Sequence, residues 1–188
     1  MKIILASASE RRQELLTRLV KKFDIMVSDF DESQIIFEGS NDKYVQSIAL
    51  GKALDIKNKI NENAIIVSAD TVVTLDGKIL GKPKDEEDAF NMIKSLQGRS
   101  HFVYSGVVVI NTALNKTIKD SLCTEVTFSQ ISDKEIREYI KTKEPLDKAG
   151  AYGIQGIGGV FVKEIKGCYY NVVGLPLNKV KTMLEQIK

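Results

Sequence analysis

The chain has 188 residues, of which 43% are hydrophobic and 28% are charged, and its formal net charge is +2. This size and balance predict a single globular domain, residues 1–188, with a substantial core. The nearly balanced charge gives no support by itself for a nucleic-acid partner, which is not expected, and no apolar run is long enough to cross a membrane. Cys123 and Cys168 stand far apart, as expected for two ordinary thiols of a cytoplasmic protein.

The first sixteen residues predict a strand that turns sharply into a helix. An apolar stretch at residues 2–6 is followed by Ser7 and Ser9, and then by Arg11 and Arg12. Such a turn leaves the first amide groups of the helix without intrahelical partners, and these groups attract anions. Arginine adds a planar fork that fits phosphate oxygens. We therefore expect a polyphosphate here; the alternative is that Ser9 only caps the helix and the arginines are surface charges.

The next segments supply carboxylates and a lysine. A half-buried strand predicted at residues 23–28 leads into a loop with Asp29, Asp31 and Glu32. These side chains are ordinarily solvated, but carboxylates also suit a magnesium-type cation. The amphipathic helix that follows places Lys52 on its apolar face. That lysine either extends its ammonium group to solvent or reaches an anion at the edge of the core.

A central apolar run at residues 64–69 predicts a strand covered on both faces, and Asp70 is the first charge after it. Catalytic groups of α/β proteins lie at such strand ends. A buried carboxylate without a partner is costly, so we expect a metal ion or a cationic side chain beside Asp70. Asp76-Gly77 then predicts a hairpin turn. His101, the single histidine, cannot belong to a multi-histidine metal site and is expected to be structural.

Polar residues mark the predicted helix starts. Asn41 or Asp42 is expected to cap the second helix, and Asn178 the last one. Ser132 and Glu135 have the spacing of a capping box.

A glycine-rich stretch contains five glycines within residues 150–159. Glycine lets the backbone approach a ligand closely, and the Gln155 amide can donate and accept hydrogen bonds at a base edge. The glycines equally suit turns alone, and the G-x-G-x-x-G spacing of dinucleotide-binding loops is absent. Residues 160–162 and 169–173 are expected to be closing strands.

Five segments spread along the chain carry a family resemblance. They are L-A-S-A-S-E-R-R-Q-E-L-L, S-A-D-T-V-V, G-K-P, E-P-L-D-K-A-G-A-Y-G-I-Q-G and V-V-G-L-P-L. Together they resemble the Maf family of nucleoside triphosphate pyrophosphatases. The resemblance implies a Maf/ITPase-like α/β fold, with a mixed twisted sheet, flanking helices and two lobes around a central nucleotide-binding cleft. It also implies a cytoplasmic enzyme that uses a divalent cation, Mg²⁺ or Mn²⁺, and it is compatible with a homodimer.

The resemblance also assigns roles to individual residues. Asp70 would hold the cation and accept a proton from the attacking water, and Glu32 would be the second carboxylate at the metal. Arg11, Thr71 and Gln155 would select the pyrimidine of the substrate. Phosphate binding would fall to hydroxyl and basic side chains, namely Ser7, Ser9, Arg12, Lys52 and Lys82.

Three functions stay open at this point, and the resemblance favours the first, because Arg11, Thr71 and Gln155 are similar to the branch that acts on dTTP and UTP. The first is hydrolysis of dTTP and UTP, or of modified pyrimidine nucleotides, to the monophosphate and pyrophosphate. The second is the same reaction on another or modified nucleotide, such as 7-methyl-GTP. The third is a non-catalytic role in regulating cell division and septum formation. Glu10 departs from the family pattern, which has proline there, and puts an acid beside the expected phosphate turn.

Overall fold

The computed structural model describes all 188 residues, which form a seven-stranded mixed sheet and six α-helices. The elements are β1 (Lys2–Leu5), α1 (Glu10–Thr17), β2 (Asp24–Ile25), α2 (Asn41–Lys59), β3 (Ala64–Leu75), β4 (Lys78–Leu80), α3 (Glu86–Leu96), β5 (Ser100–Asn111), β6 (Lys116–Phe128), α4 (Asp133–Lys141), β7 (Val162–Lys166), α5 (Tyr169–Val173) and α6 (Leu177–Gln186). The strand order is β2-β1-β3-β5-β6-β7, with β4 paired to β3. The predicted α/β class with a mixed sheet is confirmed. No helix combines the length and the apolar character needed to span a membrane.

Strand β1 lies between β2 and β3 and runs parallel to both. Ile4 and Leu5 are fully buried, which explains the continuous apolar sequence of this strand. Leu5 is in register with Val67 of β3, and the Ala6 amide donates to the Val67 carbonyl at 2.8 Å. The chain beyond β1 and the residue at position 70 of β3 therefore lie toward the same edge of these parallel strands.

The chain divides into two compact units. The first comprises Met1–Asp70, Ser105–Leu122 and Gly174–Lys188, and the second comprises Thr71–Tyr104 and Cys123–Val173. In the first unit, one apolar face of α2 packs into a core of small and branched side chains, namely Ile4, Ala6, Ala49, Ala53, Ile56, Ala64, Ile66, Val108 and Ile110.

The core of the second unit is rich in aromatic rings. Phe128 contacts Tyr152 and His101 edge to face, with ring centroids 4.7 and 4.9 Å apart. His101 is completely buried, and its Nε2 lies 2.8 Å from the Tyr152 hydroxyl. Its surroundings are therefore those of a core residue.

The predicted closing strands are wrong in part. Residues 169–173 form helix α5, and Ile157–Phe161 is a 3₁₀ helix, so β7 begins only at Val162. The β-prone sequence of α5 is overridden by tertiary contacts. Asn171 is fully buried, and its side-chain nitrogen Nδ2 donates to the Val103 carbonyl at 2.9 Å and to Thr124 Oγ1 at 3.0 Å.

Two predicted helix caps are also wrong. Helix α2 is capped by Ser40 rather than by Asn41 or Asp42. The last helix begins directly after Pro176, so Asn178 already lies inside it. In each case an earlier residue, Ser40 or Pro176, has extended backbone and occupies the cap position. The polar residue that was predicted as the cap already has helical backbone.

Other local predictions are confirmed. Ser132 and Glu135 form the capping box of α4. Asp76 and Gly77 form the β3–β4 turn, and both have the positive φ angles that this hairpin type requires. The strand predicted at residues 23–28 is present only as the two exposed residues of β2.

Candidate active site

Asp70 is a buried carboxylate in the middle of β3, with 7% of its surface exposed. The predicted strand end after residue 69 is wrong, because β3 continues through Asp70 to Leu75. The ammonium group of Lys52 lies 2.7 Å from Asp70 Oδ1 and 2.7 Å from Glu32 Oε1. Lys52 therefore joins a buried carboxylate to one that is half exposed. Of the two arrangements expected for this lysine, the structure has the one in which it reaches an anion at the edge of the core.

The turn between β1 and α1 is held in place by its own polar groups. The Ser9 hydroxyl caps α1 by accepting from the Arg12 amide, and the Ser7 hydroxyl accepts from the Ser9 amide at 3.2 Å. Arg12 Nε donates to the Gly174 carbonyl at 2.9 Å, and its Nη1 lies 3.5 Å from Ser7 Oγ. The capping role expected for Ser9 is present, but Arg12 is half-buried and fixed rather than a free surface charge.

Charges in this part of the first unit influence one another. Burial lowers the pKa of the Arg12 guanidinium from its ordinary value, Asp70 and Glu32 oppose that shift, and Arg11 adds to it. Burial raises the pKa of the Tyr44 hydroxyl, and the charges of Asp70 and Glu32 raise it further. Nothing in the sequence pattern had distinguished Tyr44, whose position near two carboxylates depends on the packing of α2.

The segment that carries Glu32 is attached to α2 by contacts that sequence reasoning missed. Asp55 accepts hydrogen bonds from Ser28 Oγ at 2.8 Å and from the Asp29 amide at 2.9 Å. The ring of Phe30 lies against Gly51, where a β-carbon would come within 2.4 Å of it. Asp55 could have been suspected only from its helical i, i+4 partner, Lys59.

Three predicted site residues belong to the second unit. Thr71 follows Asp70 directly in β3 and is half-buried. Lys82 lies exposed just after β4, and Gln155 lies exposed in the glycine-rich stretch. The central nucleotide-binding cleft that the family resemblance implies, in which these three residues would meet Asp70, stays a prediction.

Comparison with known proteins then decides the family. The sequence pattern described as "Maf-like protein" matches residues 2–187. The chain belongs to the Maf-like family. The resemblance stated from the sequence is confirmed.

Close relatives of this Maf-like chain are full-length matches. A Clostridium beijerinckii protein named dTTP/UTP pyrophosphatase is 77% identical over 188 residues, with both chains covered completely. Proteins of the same name from Clostridium novyi and Clostridium perfringens are 59% and 55% identical, over 96% and 98% of this chain and 94% and 96% of theirs. The Staphylococcus aureus Ham1 protein, a solved structure, superposes with a TM-score of 0.54 at 14% identity, with full coverage of both chains. This last likeness concerns the fold alone.

The donor groups of this Maf-like chain fit a cation that is bound jointly with a substrate. No group of three or more His, Cys, Asp or Glu side chains is placed to hold a metal ion. Asp70 and Glu32 nevertheless lie close together, since one oxygen of each contacts the Lys52 ammonium group, and a cation would be held by their second oxygens. Mg²⁺ is commonly held by one or two carboxylates together with waters and substrate phosphates, rather than by a full protein cage.

Proposed function

We propose that this Maf-like protein hydrolyses dTTP and UTP to the monophosphate and pyrophosphate, by attack of water on the α-phosphorus. The observation that carries the proposal is the buried Asp70 carboxylate bonded to Lys52, in a chain that is 77% identical to a protein named dTTP/UTP pyrophosphatase. A buried carboxylate is suited to accept a proton from a water held beside it, although β3 continues past Asp70 and the residue is not at a strand end.

Phosphate binding is proposed for the turn before α1 and for Lys52. The turn offers Ser7 and Ser9 hydroxyls, the positive end of the α1 dipole and the Arg12 guanidinium, which the Gly174 carbonyl holds in one orientation. Fixed donors of this kind stabilise charge that develops on a phosphate without reorganising during the reaction. Lys82 is proposed as a further phosphate ligand on the basis of the G-K-P motif.

Asp70 and Glu32 are the residues proposed to hold a divalent cation, Mg²⁺ or Mn²⁺. When bound, such a cation would lower the pKa of its bound water and neutralise phosphate charge. Two cationic side chains, Lys52 and Arg12, and the two carboxylates carry no net charge together. The extra positive charge that a triphosphate requires would therefore have to come from the cation and from further basic residues.

Base selection is proposed for Arg11, Thr71 and Gln155. The uracil and thymine edge presents a carbonyl acceptor beside an N–H donor, and the Gln155 amide can match both. A site that bonds such an edge rejects other bases because its own polar groups are then left without partners.

A substrate panel tests the proposal. Purified protein is incubated with dTTP, UTP, CTP or 7-methyl-GTP and with Mg²⁺ or Mn²⁺, and pyrophosphate release is measured with and without a chelator. We expect dTTP and UTP to be the best substrates and the chelator to abolish turnover. A clear preference for CTP or the methylated purine would replace the assigned substrate. Absence of turnover with every nucleotide would favour a non-catalytic role.

Replacing the proposed base tests the mechanism. Asp70→Asn keeps the shape of the side chain, so we expect nucleotide binding to persist while kcat falls by about 10²- to 10⁴-fold. Asp24→Asn is the matched control, because Asp24 is an exposed aspartate of the edge strand β2 and pairs with Lys2 of β1. Wild-type turnover in Asp70→Asn would show that Asp70 is not the base.

A further inference from the structure

The glycine-rich stretch of the second unit is built around one carboxylate, that of Glu144. Glu144 Oε2 accepts from the Ile157 amide at 2.8 Å, and Oε1 accepts from the Gly158 amide at 3.1 Å and from the Tyr139 hydroxyl at 2.9 Å. Burial by itself would raise the pKa of Glu144. The donors from Gly158, Ile157 and Tyr139 outweigh burial, and the pKa lies below its ordinary value.

The glycines are required by this packing. A β-carbon on Gly156 would lie 2.4 Å from Glu144 Oε2, and one on Gly158 would lie 2.5 Å from the Tyr139 hydroxyl oxygen. Both distances are far below van der Waals contact. The sequence suggested that these glycines let backbone approach a ligand, but at these two positions the close neighbour is the protein's own side chain.

Both ends of residues 153–159, which we call the selectivity loop, are attached to the same pair of side chains. The Gly153 amide donates to the Tyr139 hydroxyl at 3.3 Å, at one end. The Ile157 and Gly158 amides bind Glu144 at the other end. The Lys148 side chain lies against the first residue of the loop, since a β-carbon on Gly153 would come within 2.7 Å of Lys148 Cε, and its ammonium group donates to the main-chain carbonyl of Glu144 at 2.8 Å.

Gln155 lies between these attachment points and is exposed. Its backbone is therefore fixed from both sides while its side chain faces solvent. An amide that reads a base edge must be held in one orientation, because a rotated or displaced amide can match a wrong donor and acceptor pattern as well as the right one.

We propose that Glu144 is a positioning residue for nucleotide selectivity, acting through the selectivity loop to hold Gln155 where its amide meets the pyrimidine edge. The proposal rests on the proposed function, in which Gln155 contacts the base. It assigns no part in the hydrolytic step to Glu144, so the chemistry at Asp70 continues when Glu144 is changed.

Glu144→Gln tests the proposal. The new amide NH₂ would face a backbone N–H donor where a carboxylate oxygen now accepts, so one end of the selectivity loop is released. The measurement is kcat and KM for dTTP and for CTP, whose amino group reverses the edge pattern of uracil. We expect KM for dTTP to rise and the dTTP-to-CTP ratio of kcat/KM to fall by about tenfold to a hundredfold, with kcat for dTTP nearly unchanged.

Two further variants and a control separate positioning from general damage. Gly156→Ala leaves the carboxylate in place and displaces the loop sterically, and Tyr139→Phe removes one hydroxyl; both are expected to lower the same ratio. Glu138→Gln is the control, since Glu138 is an exposed neighbour on α4 that pairs with Lys141 at 2.7 Å. If Glu144→Gln is too unstable to assay, Tyr139→Phe decides.

The outcomes distinguish this inference from the proposed function. If kcat/KM falls equally for dTTP and CTP in the variants, so that their ratio is unchanged, the role of Glu144 is overturned. The pyrophosphatase assignment is then left intact. A wild-type protein that releases no pyrophosphate from dTTP would instead overturn the proposed function itself.

Discussion

Gly51→Ala is expected to separate stability from activity. Gly51 lies within α2 directly before Lys52, and a β-carbon there would come within 2.4 Å of Cε1 and Cζ of Phe30. Phe30 belongs to the short segment that carries Glu32. The substitution therefore displaces that segment without removing any charged group of the candidate site.

Two opposed effects determine the change in the free energy of unfolding. Alanine in a helix interior is about 1 kcal/mol more favourable than glycine. Against this, the Phe30 ring must leave its place. Full burial of a phenylalanine side chain contributes about 1.5–3 kcal/mol, and Phe30 is only half-buried, so its displacement costs about 1 kcal/mol. We expect the sum to be within about 1 kcal/mol of zero, while kcat/KM for dTTP falls by about tenfold or more because Glu32 moves.

Urea unfolding and pyrophosphate release are measured for Gly51→Ala, for Phe30→Ala and for the double variant. Without the ring, Gly51→Ala should gain the full helix-propensity term of about 1 kcal/mol. Gly106→Ala is the contrasting control in the same unit, since its β-carbon would lie 2.4 Å from the backbone carbonyl carbon of Val45, which cannot swing aside. It should lose about 3 kcal/mol or fail to fold.

A stabilised and fully active Gly51→Ala protein would refute this reasoning. It would mean that the Phe30 ring does not rest on Gly51 in solution, or that its contact does not determine the position of Glu32. If Gly51→Ala raises the free energy of unfolding by the same amount in the wild-type and Phe30→Ala backgrounds, the conclusion is the same.

Two other predictions concern buried ionisable groups. Lys52→Met leaves the Asp70 carboxylate buried without its cation, so the free energy of unfolding should fall by about 3 kcal/mol in urea titrations; an unchanged value would mean that Asp70 finds another partner. Burial lowers the pKa of His101 from 6.5 to about 4, so the unfolded chain binds more protons than the folded one between these values, and stability is lost as the pH falls. From pH 7 to 5 this histidine should cost about 2 kcal/mol, and His101→Gln, which keeps a partner for Tyr152, should remove that part of the pH dependence.

Local signals explain what the sequence predicted correctly. The apolar run before Asp70 and the strand-to-helix turn at Ser9 are patterns of neighbouring residues, and the fold has a buried strand and a capped helix start at those places, although β3 continues past Asp70 to Leu75. Lys52 was identified from helical periodicity alone. Its partner remained open because the distance between a helix face and a strand cannot be derived from spacing.

The contacts that sequence reasoning missed join residues whose local sequence is compatible with more than one structure. Glycines at 156 and 158 are as compatible with a ligand site as with a packed loop, and only the positions of the Glu144 and Tyr139 side chains decide between them. Phe30 and Gly51 have no local signature at all. The strand expected at residues 169–173 failed for the same reason, because one buried amide at Asn171 outweighs the β-propensity of its neighbours.

Lys52 combines two tasks that thermodynamics can separate. As the partner of Asp70 it offsets the cost of a buried carboxylate, and as a proposed phosphate ligand it contributes to catalysis. The double variant of Lys52→Met and Asp70→Asn removes both charges. No unpaired buried charge is then left to lower the free energy of unfolding. The double variant should therefore recover much of the stability that Lys52→Met loses, yet regain no turnover. Turnover that recovered together with stability would contradict two proposed roles at once, that of Asp70 as the base and that of Lys52 as a phosphate ligand.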